Sequence, residues 1–488
     1  MMEKNIESQT KLPQATRTQL EPYTVFTKYQ VYYIVFTASW AGLFSPISAN
    51  IYFPALNTLA EDLNVSSSLI NLTVMSYMIF QGLAPMFIGD FADVVGRRPA
   101  YMACFVIYTA ANIGLALQNN YAALFVLRCM QSSGSSATIA LSSGVVSDIA
   151  TAAKRGSYIG LVTAGSLLGP SLGPVIGGLL AQYLGWRAIF WFLTIMSGVF
   201  MVQFVLFFPE TSRRVVGNGS LMPQKWNLSV MDYMKTRKHA ETTNTGSRPK
   251  FRGPNPIQAL RILFEKDTSL LLFVNAILFA GYYDITASLP SLLSEIYGYN
   301  DLQVGLCYIS IGTGCFIAAY SNGYLQDWNF RRTAHKLNIE LVANRQTDLT
   351  SFPIERARVQ VMVPPLVVGC VAVIAFGWAV HYETHIAAPL VILFFCGLCL
   401  SMAFNTVSTL LIDFYPGKAA TATAANNLCR CLLGAGATAL IVPMIDGMGR
   451  QWCFTFLGLV MLVGSLPLVV IVRLGPKWRE ERRLRAMG

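Results

Sequence analysis

Three ionisable residues, Arg128, Asp284 and Arg430, lie inside long apolar runs of the sequence. Charged groups are expensive to bury in an apolar medium, so they tend to face a partner or a polar cavity. An arginine there can hold a carboxylate through two parallel hydrogen bonds, and a carboxyl group can take up and release a proton. The three residues therefore predict a binding or proton-exchange site inside an apolar body.

Other chemistries find less support. No phosphate-binding loop of the form GxxxxGK[ST] occurs, since Gly417 and Lys418 are followed by alanine. His381, Glu383 and His385 lie in one short segment without the HExxH spacing of a zinc site. The sequence thus predicts neither an enzyme nor an ATP-driven pump, and no metal or cofactor.

The composition indicates which elements position the three charged residues. Of 488 residues, 54% are hydrophobic and only 12% are charged, whereas soluble proteins carry about 25% charged residues. The surrounding solvent is therefore expected to be lipid. Because a polar segment of about 29 residues precedes the first apolar run, that run predicts an uncleaved membrane anchor.

Apolar runs long enough to cross a bilayer occur twelve times. They cover residues 31–53, 69–88, 100–117, 122–147, 157–182, 187–208, 269–293, 302–325, 359–381, 387–411, 419–445 and 452–472. With this assignment, all but four of the 36 Lys and Arg residues fall on one side. The positive-inside rule places both termini and the central loop in the cytoplasm. The sequence predicts an all-α membrane protein with twelve transmembrane helices in two pseudo-symmetric six-helix bundles.

The domain boundaries follow from these runs. We expect a cytoplasmic tail (1–30), a first bundle (31–211), a cytoplasmic linker (212–266), a second bundle (267–472) and a second cytoplasmic tail (473–488). The linker holds eleven Lys or Arg and three Asp or Glu residues. It is either a solvated tether or a segment that rests on anionic lipid headgroups.

The two halves repeat a charged signature at the predicted cytoplasmic surface. Its residues are Gly89, Asp93, Arg97 and Arg98 in the first half, and Gly323, Asp327, Arg331 and Arg332 at the same offsets in the second. Asp148 and Asp413 form a second echo, at the inner ends of the fourth and tenth runs. Duplicated six-helix halves are a transporter architecture.

This signature allows two interpretations. Asp93 and the arginines can bridge helix ends, with Asp148 as a candidate partner, and so act as a gate that closes one side. Gly89 and Gly96 permit close or unusual backbone geometry in a tight turn. The alternative is that the arginines only contribute to the positive-inside bias and that the glycines only form the turn.

Glycines recur at intervals of four in the fifth run and form one slowly drifting helix face. The residues of this motif are Gly165, Gly169, Gly173 and Gly177, with Pro170 and Pro174 between them. Such a face lets a second helix approach closely.

Further polar residues in the runs are candidates for a substrate path. Asn50 and Tyr52 end the first run and Asn405 lies in the tenth; they either line a path or form hydrogen bonds between helices. Asn64 begins an Asn-Val-Ser sequon on a predicted external loop, which marks a candidate glycosylation site.

With these motifs the chain resembles the major facilitator superfamily over nearly its whole length. Gly89, Asp93, Gly96, Arg97 and Arg98 are similar to that family's loop signature between helices 2 and 3. Arg128, Gln131 and Gly134 are similar to its fourth-helix motif, and GSLLGPSLGPVIGG resembles the motif of its antiporters. The phrases SANIYFPAL, FPETSRR, FPIERAR and NNLCRCLLGAG resemble fungal drug:proton antiporters of quinidine-resistance type and fungal citrate exporters.

The resemblance implies that helices 1, 4, 7 and 10 surround a central cavity, which Arg128 and Asp284 would share. There, Asp284 is either a proton-exchanging acid beside Arg128 or half of a static structural pair. The expected function is proton-coupled export of a drug-like compound or secondary metabolite. The alternatives are export of a citrate-type organic acid and a membrane sensor that does not transport.

The expected partners are a small-molecule substrate, protons and the lipid bilayer, with no nucleic acid. We expect a monomer in the cell membrane.

Overall fold

The structure is a computed structural model that describes residues 24–150, 169–238, 262–337, 352–415 and 419–487, together with Tyr158 and Val162. The regular elements in these ranges are helices. The first bundle contains α1 (Lys28–Asn50), α2 (Ser67–Val95), α3 (Arg97–Leu117), α4 (Tyr121–Ile149), α5 (Gly169–Leu184) and α6 (Arg187–Phe207). The second contains α7 (Lys266–Tyr297), α8 (Asp301–Lys336), α9 (Ile354–His381), α10 (Ala387–Phe414), α11 (Ala419–Met448) and α12 (Arg450–Gly464).

Shorter helices connect and extend the bundles. They are a 3₁₀ turn at Phe53–Ala55, a helix at Leu56–Asp62, the segments Arg213–Val216, Lys225–Asn227 and Val230–Lys238 after α6, and α13 (Pro467–Met487) after α12. Ten described helices are long and apolar enough to span a membrane. The serine-rich α4 and the described part of α5 complete the twelve-helix arrangement.

The predicted spans differ from the helices by a few residues at many ends, and the two largest differences are in the eighth and the twelfth. The eighth was expected to end at residue 325, but α8 continues to Lys336. The twelfth was expected to run unbroken over 452–472, but a turn at Ser465 and Leu466 separates α12 from α13. Pro467 begins α13, because proline fits the first turn of a helix but not its interior.

The bundles meet along α2 with α11 and along α5 with α8. In the described chain, four hydrogen bonds join them. Three are Asn57 Nδ2 to the Pro290 carbonyl at 3.0 Å, Thr58 Oγ1 to Asp301 Oδ2 at 2.7 Å, and Asn427 Nδ2 to the Gln81 carbonyl at 2.8 Å. The fourth is a weak contact from Thr438 Oγ1 to Met78 Sδ at 3.6 Å.

The molecule has two distinct ends. We call the end with the starts of α3 and α9 the basic end, since Arg97, Arg98 and Arg358 lie there; the sequence predicts that it faces the cytoplasm. The bonds from Asn57 and Thr58 lie at the opposite end. Among the described residues no hydrogen bond joins the bundles at the basic end, so the polar contacts hold the opposite end together.

The glycine face of α5 packs against α1. A Cβ atom on Gly169 would collide with Pro46, one on Gly173 would lie 3.1 Å from the Asn50 Cβ, and one on Gly177 would overlap the Ile51 carbonyl. The spacing predicted close packing, and the structure identifies α1 as the partner helix. Gly165 lies outside the described residues.

Candidate functional site

Arg128 lies inside α4 with 1% of its surface exposed. Its guanidinium sits over two tyrosine rings, 4.1 Å from the centroid of Tyr52 and 4.3 Å from that of Tyr77. Aromatic faces are electron-rich and attract a cation, so the rings compensate part of the cost of burying the charge. Tyr52 follows the end of α1, and the hydrogen bond between its hydroxyl and Thr73 of α2, at 2.9 Å, holds the ring in place.

One edge of the guanidinium is held by neutral groups. Arg128 Nη1 donates to Gln131 Oε1 at 2.6 Å and to the Ser48 carbonyl at 3.5 Å. Gln131 in turn donates to Asn112 Oδ1 at 2.7 Å. Arg128 Nε and Nη2 are buried and have no hydrogen-bond partner. The charge is therefore fixed in orientation, while two of its donor atoms remain available.

Asn50 takes a local role in the structure. Its side-chain amide donates to the Pro46 carbonyl one turn earlier in α1, at 2.7 Å. This bond keeps the side-chain amide of Asn50 within its own helix. The residue is buried, with its Cβ toward Gly173 of α5.

Asp284 lies in α7, 2% exposed, and its Oδ1 atom has no hydrogen-bond partner. It shares a helix face with Gly281, which lies against Met461 of α12, and it is electrostatically close to Cys453 of α12. The carboxyl group is thus directed into the second bundle. The expected pairing with Arg128 is not formed, because Asp284 is directed toward α12 and the contacts of the Arg128 guanidinium are to other residues.

Arg430 lies half-buried in α11, and its charge is also held by neutral groups. Its Nε and Nη2 atoms donate to Asn427 Oδ1 at 3.1 and 2.8 Å, and its guanidinium lies 4.9 Å from the Phe279 ring centroid. Asn427 also donates to the Gln81 carbonyl of α2. Arg430 is therefore coupled to the seam between the bundles.

Aromatic residues connect the bundles next to these arginines. The Phe53 ring stacks on Tyr308 of α8 at 6.1 Å between centroids and lies 6.4 Å from Tyr283 of α7. Tyr283 also packs on Phe279 at 4.5 Å. Asn405 lies half-buried in α10, next to the Phe404 that contacts Phe279.

The sequence alone did not single out three of these aromatic residues, Phe53, Tyr77 and Tyr308. The phrase SANIYFPAL contained a signal for Phe53. The other two are aromatic residues within apolar runs and carry no distinguishing pattern.

At the basic end, Arg97 Nε and Asp148 Oδ2 form an ion pair at 2.9 Å. Asp148 is the partner that the sequence proposed for the arginines of the signature. Arg213, which follows α6, donates to the Asp148 carbonyl at 2.8 Å. The Asp93 side chain lies outside the described part of the chain, and Gly89 has open space where a Cβ would project.

Arg98 has a different set of partners from Arg97. It is buried and donates to the Phe208 and Val205 carbonyls, both at 3.1 Å. The carboxylate of Glu210 accepts the backbone N–H groups of Arg97 and Arg98 at 2.9 and 3.2 Å. An anion is favourable there because the first N–H groups of a helix are unpaired and its dipole is positive.

Gly96 makes room for this carboxylate. Its φ angle of 123° is one that other residues rarely adopt, and a Cβ atom would collide with Glu210. Sequence reasoning missed the role of Glu210, although it lies in the phrase FPETSRR. The turn between α2 and α3 thus depends on a residue that follows α6.

The second half departs from the predicted repeat. Asp327, Arg331 and Arg332 are exposed on the continuous α8, and Arg332 lies over the Trp328 ring. The arginine that faces Asp413 is instead Arg358 of α9, with Nε 3.1 Å from Oδ2. Arg358 also donates to Gln326 at 3.1 Å.

The expectation that Arg331 and Arg332 correspond to Arg97 therefore does not hold in space. In the first half the helix breaks at Gly96, whereas Phe330 stands at the same offset in the second half and α8 continues through it to Lys336, so Arg331 and Arg332 stay on the helix that carries Asp327. Asp148 and Asp413, the residues of the second sequence echo, do correspond: each forms an ion pair with an arginine near the start of the preceding bundle helix, α3 or α9.

Asn64 is exposed in the turn before α2 with a φ angle of 52°. The sequon residue Ser66 caps α2, its hydroxyl accepting the Leu69 N–H at 3.3 Å. The asparagine is accessible, but its loop is held close to the helix end.

Two six-helix bundles around buried charges, with ion pairs at the helix ends, define a polytopic membrane transporter. Residues 38–439 match the family model of the Major Facilitator Superfamily, and the chain belongs to that family. It is a multi-pass membrane transporter and not an enzyme.

Curated relatives from fungi extend the match to almost the full chain. The MFS-type transporter phiD of Fungal sp. (strain ATCC 74256) is 46% identical, covering 95% of this chain and 71% of the relative. The MFS-type transporter tstD of Talaromyces stipitatus is 42% identical, covering 99% and 89%. Citrate exporter 1 of Aspergillus niger is 39% identical, covering 97% and 92%.

Solved structures share the fold at low identity. The xylose transporter XylE from E. coli, in a partially occluded inward open conformation, matches with a TM-score of 0.62 and 14% identity, covering 91% of this chain and 98% of that one. The human organic anion transporter MFSD10 matches with a TM-score of 0.55 and 17% identity, covering 90% and 99%.

Proposed function

We propose that the chain is a secondary active exporter of a drug-like compound or secondary metabolite and that protons entering the cell drive the export. The family and the fungal transporters related to the chain support the transport class. On this proposal the protein is a monomer in the cell membrane with both termini in the cytoplasm.

The observation that carries the proton coupling is Asp284. It is a buried acid inside the membrane region with an unpaired oxygen, and among the described residues it has no ion-pair partner. An unpaired carboxylate in such surroundings is costly, so the neutral acid is favoured until water or a cation reaches it. A group of this kind can carry one proton per transport cycle.

α7 connects the acid to the contact between bundles. Asp284 faces α12, whereas its neighbour Tyr283 faces Phe53 of the first bundle. A change in the packing of Asp284 against α12 therefore moves Tyr283 at the seam. Coupling would then act through one helix and not through a direct contact between Asp284 and Arg128.

In the structure the polar contacts close the opposite end. Opening that end must break the bonds from Asn57 to Pro290 and from Thr58 to Asp301. In the proposed cycle the pairs Arg97–Asp148 and Arg358–Asp413 hold the helix ends within each bundle as it moves. The gate role of Asp93 and the basic signature belongs to this same proposal.

The substrate path would run past Tyr52, Arg128 and Gln131 of the first bundle and past Asn405 and Arg430 of the second. A citrate-type organic acid is the alternative substrate, and one relative is named a citrate exporter. A sensor that does not transport is the alternative from another class, and a flux measurement distinguishes it.

The test of coupling is proton movement in vesicles containing the full-length protein, with an imposed pH gradient and a panel of citrate and cationic drugs. We expect Asp284→Asn to abolish uphill transport while downhill exchange continues, because the amide cannot release a proton. Asp446→Asn, near the end of α11, is the matched control and should keep wild-type coupling. Normal substrate-driven proton flux in Asp284→Asn would remove this residue from the mechanism.

A further inference from the structure

We propose that the transported compound is an organic carboxylate and that Arg128 and Arg430, one from each bundle, form its binding site. The inference rests on the proposed transport function and deepens it by naming the substrate class. Two observations support it: the two arginines have no acidic partner among the described residues, and two N–H donor atoms of the Arg128 guanidinium have no hydrogen-bond partner.

Six arginines at the ends of the bundles form ion pairs with acids. Arg97 pairs with Asp148, Arg187 with Asp62, Arg358 with Asp413, Arg450 with Glu295, Arg479 with Glu355 and Arg482 with Asp267. Arg128 and Arg430 lie inside α4 and α11, where charge is most expensive, and among the described residues neither has an ion pair. The most costly charges are therefore the ones left without a countercharge.

The free atoms of Arg128 have the geometry of a carboxylate receptor. Nη1 is occupied by Gln131 and Ser48, while Nε and Nη2 have no partner. The Nε–H and one Nη2–H point in parallel from the same edge of the guanidinium. This edge matches the two oxygens of a carboxylate in a bidentate pair, which is the strongest hydrogen bonding that arginine forms.

Asp284 does not supply the missing charge, because it faces α12 inside the second bundle. The groups that hold the two guanidiniums are amides, carbonyls and aromatic rings. A cationic drug would add a further positive charge to these surroundings, whereas a carboxylate would neutralise one. The charge balance therefore favours an anion.

The two arginines are connected across the seam. Tyr77 lies under Arg128, and Tyr283 of α7 is within electrostatic reach of both Tyr77 and Arg430. A substrate between them would contact aromatic faces from both bundles as well as both cations. The site thus fits a carboxylate on an apolar body, or an acid with two carboxylates, and each bundle would hold part of the ligand.

The experiment measures binding to the purified full-length protein in lipid nanodiscs by thermal stabilisation. The probes are citrate, benzoate and decanoate as carboxylates, inorganic phosphate and chloride as other anions, and tetraphenylphosphonium as a cation. We expect at least one carboxylate to stabilise the wild-type protein and to bind about tenfold or more weakly to Arg128→Gln. Arg430→Gln should also weaken binding.

Two further variants separate charge loss from misfolding. Arg128→Lys keeps the charge but lacks the two parallel donors, so its affinity should lie between those of wild type and Arg128→Gln. Arg187→Gln removes an arginine at the opposite end, where its partner Asp62 is exposed, and should bind carboxylates as wild type does. If Arg128→Gln does not fold, the comparison of Arg128→Lys with wild type still measures the loss of the two parallel N–H donors.

Three outcomes would overturn the carboxylate assignment. The first is stabilisation by tetraphenylphosphonium with no effect of any carboxylate, and the second is an equal effect of phosphate, chloride and the carboxylates. The third is carboxylate binding that is unchanged in both Arg128→Lys and Arg430→Gln. Flux in vesicles keeps this test separate from the transport proposal. Proton-driven flux of a cationic drug that carboxylates do not inhibit would support transport and reject the carboxylate site. Carboxylate binding without flux of any compound would instead reject the transport function.

Discussion

At the scale of single residues, two buried carboxyl groups have different surroundings. Glu210, which follows α6, places its buried carboxylate against the first N–H groups of α3. It accepts hydrogen bonds from them, and the positive end of the helix dipole compensates its charge. Asp284 is buried in α7 with an unpaired oxygen. The first arrangement suits a structural role, and the second suits a group that changes its protonation.

Replacing Glu210 tests the structural role. Glu210→Ala would leave the N–H groups of Arg97 and Arg98 and the amide of Asn227 without their acceptor. We expect a loss of about 3 kcal/mol in unfolding free energy, since buried unpaired donors are costly. Thermal unfolding in detergent measures this, with the exposed Glu481→Ala as control. Equal unfolding midpoints for the two variants would show that the carboxylate does not stabilise the turn.

At the scale of helices, the contact between α5 and α1 depends on glycine. The Gly177 Cα lies so close to the Ile51 carbonyl that no Cβ fits. Both groups belong to backbones and cannot rotate away, so a larger residue must separate the helices. The glycines of the antiporter-like phrase in α5 therefore set how closely α5 approaches α1.

Gly177→Ala should destabilise the protein by about 2 kcal/mol, as expected for an overpacked contact. The control is Gly198→Ala in α6, where a Cβ meets nothing within 4 Å. That variant should be neutral or slightly stabilising, because alanine favours helix over glycine by roughly 1 kcal/mol. The measurement is thermal unfolding of both variants, and a Gly177→Ala protein as stable as Gly198→Ala would contradict the packing account.

At the scale of the whole molecule, the two bundles are joined near their middle and at the opposite end. Interfaces of this kind can rearrange as rigid bodies rock around a central site. The bond between Thr58 and Asp301 is one of the contacts that must break for the opposite end to open.

A covalent link between the bundles tests this motion. Thr58→Cys with Asp301→Cys, joined by a short thiol crosslinker, should abolish transport, and a cleavable linker should restore it on reduction. The control links Thr109→Cys to Ser197→Cys, whose native hydroxyls lie 2.9 Å apart within the first bundle. The ten native cysteines are free, so the parent protein with crosslinker is measured alongside. Full transport with the bundles linked would rule out opening at this end.

The sequence by itself determined the membrane setting, the twelve helices, the duplicated halves and the family. The membrane setting and the helices depend on hydrophobicity along the chain, and the duplicated halves and the family depend on short motifs; both are visible in the sequence itself. The sequence also indicated Asp148 as a partner of the signature arginines and Asp413 as its counterpart. It predicted helix ends less well, as α8 and the break before α13 show.

Only the tertiary structure decided which charges meet. Helices that are apolar on all sides carry little periodicity to show how each is rotated about its axis. Rotation directs Asp284 toward α12 and leaves one edge of Arg128 free. The first half breaks its helix at Gly96, whereas α8 continues through the equivalent position, Phe330, and it is Arg358, not Arg331, that faces Asp413. These contacts join residues far apart in sequence, and only the packing of the helices brings them together.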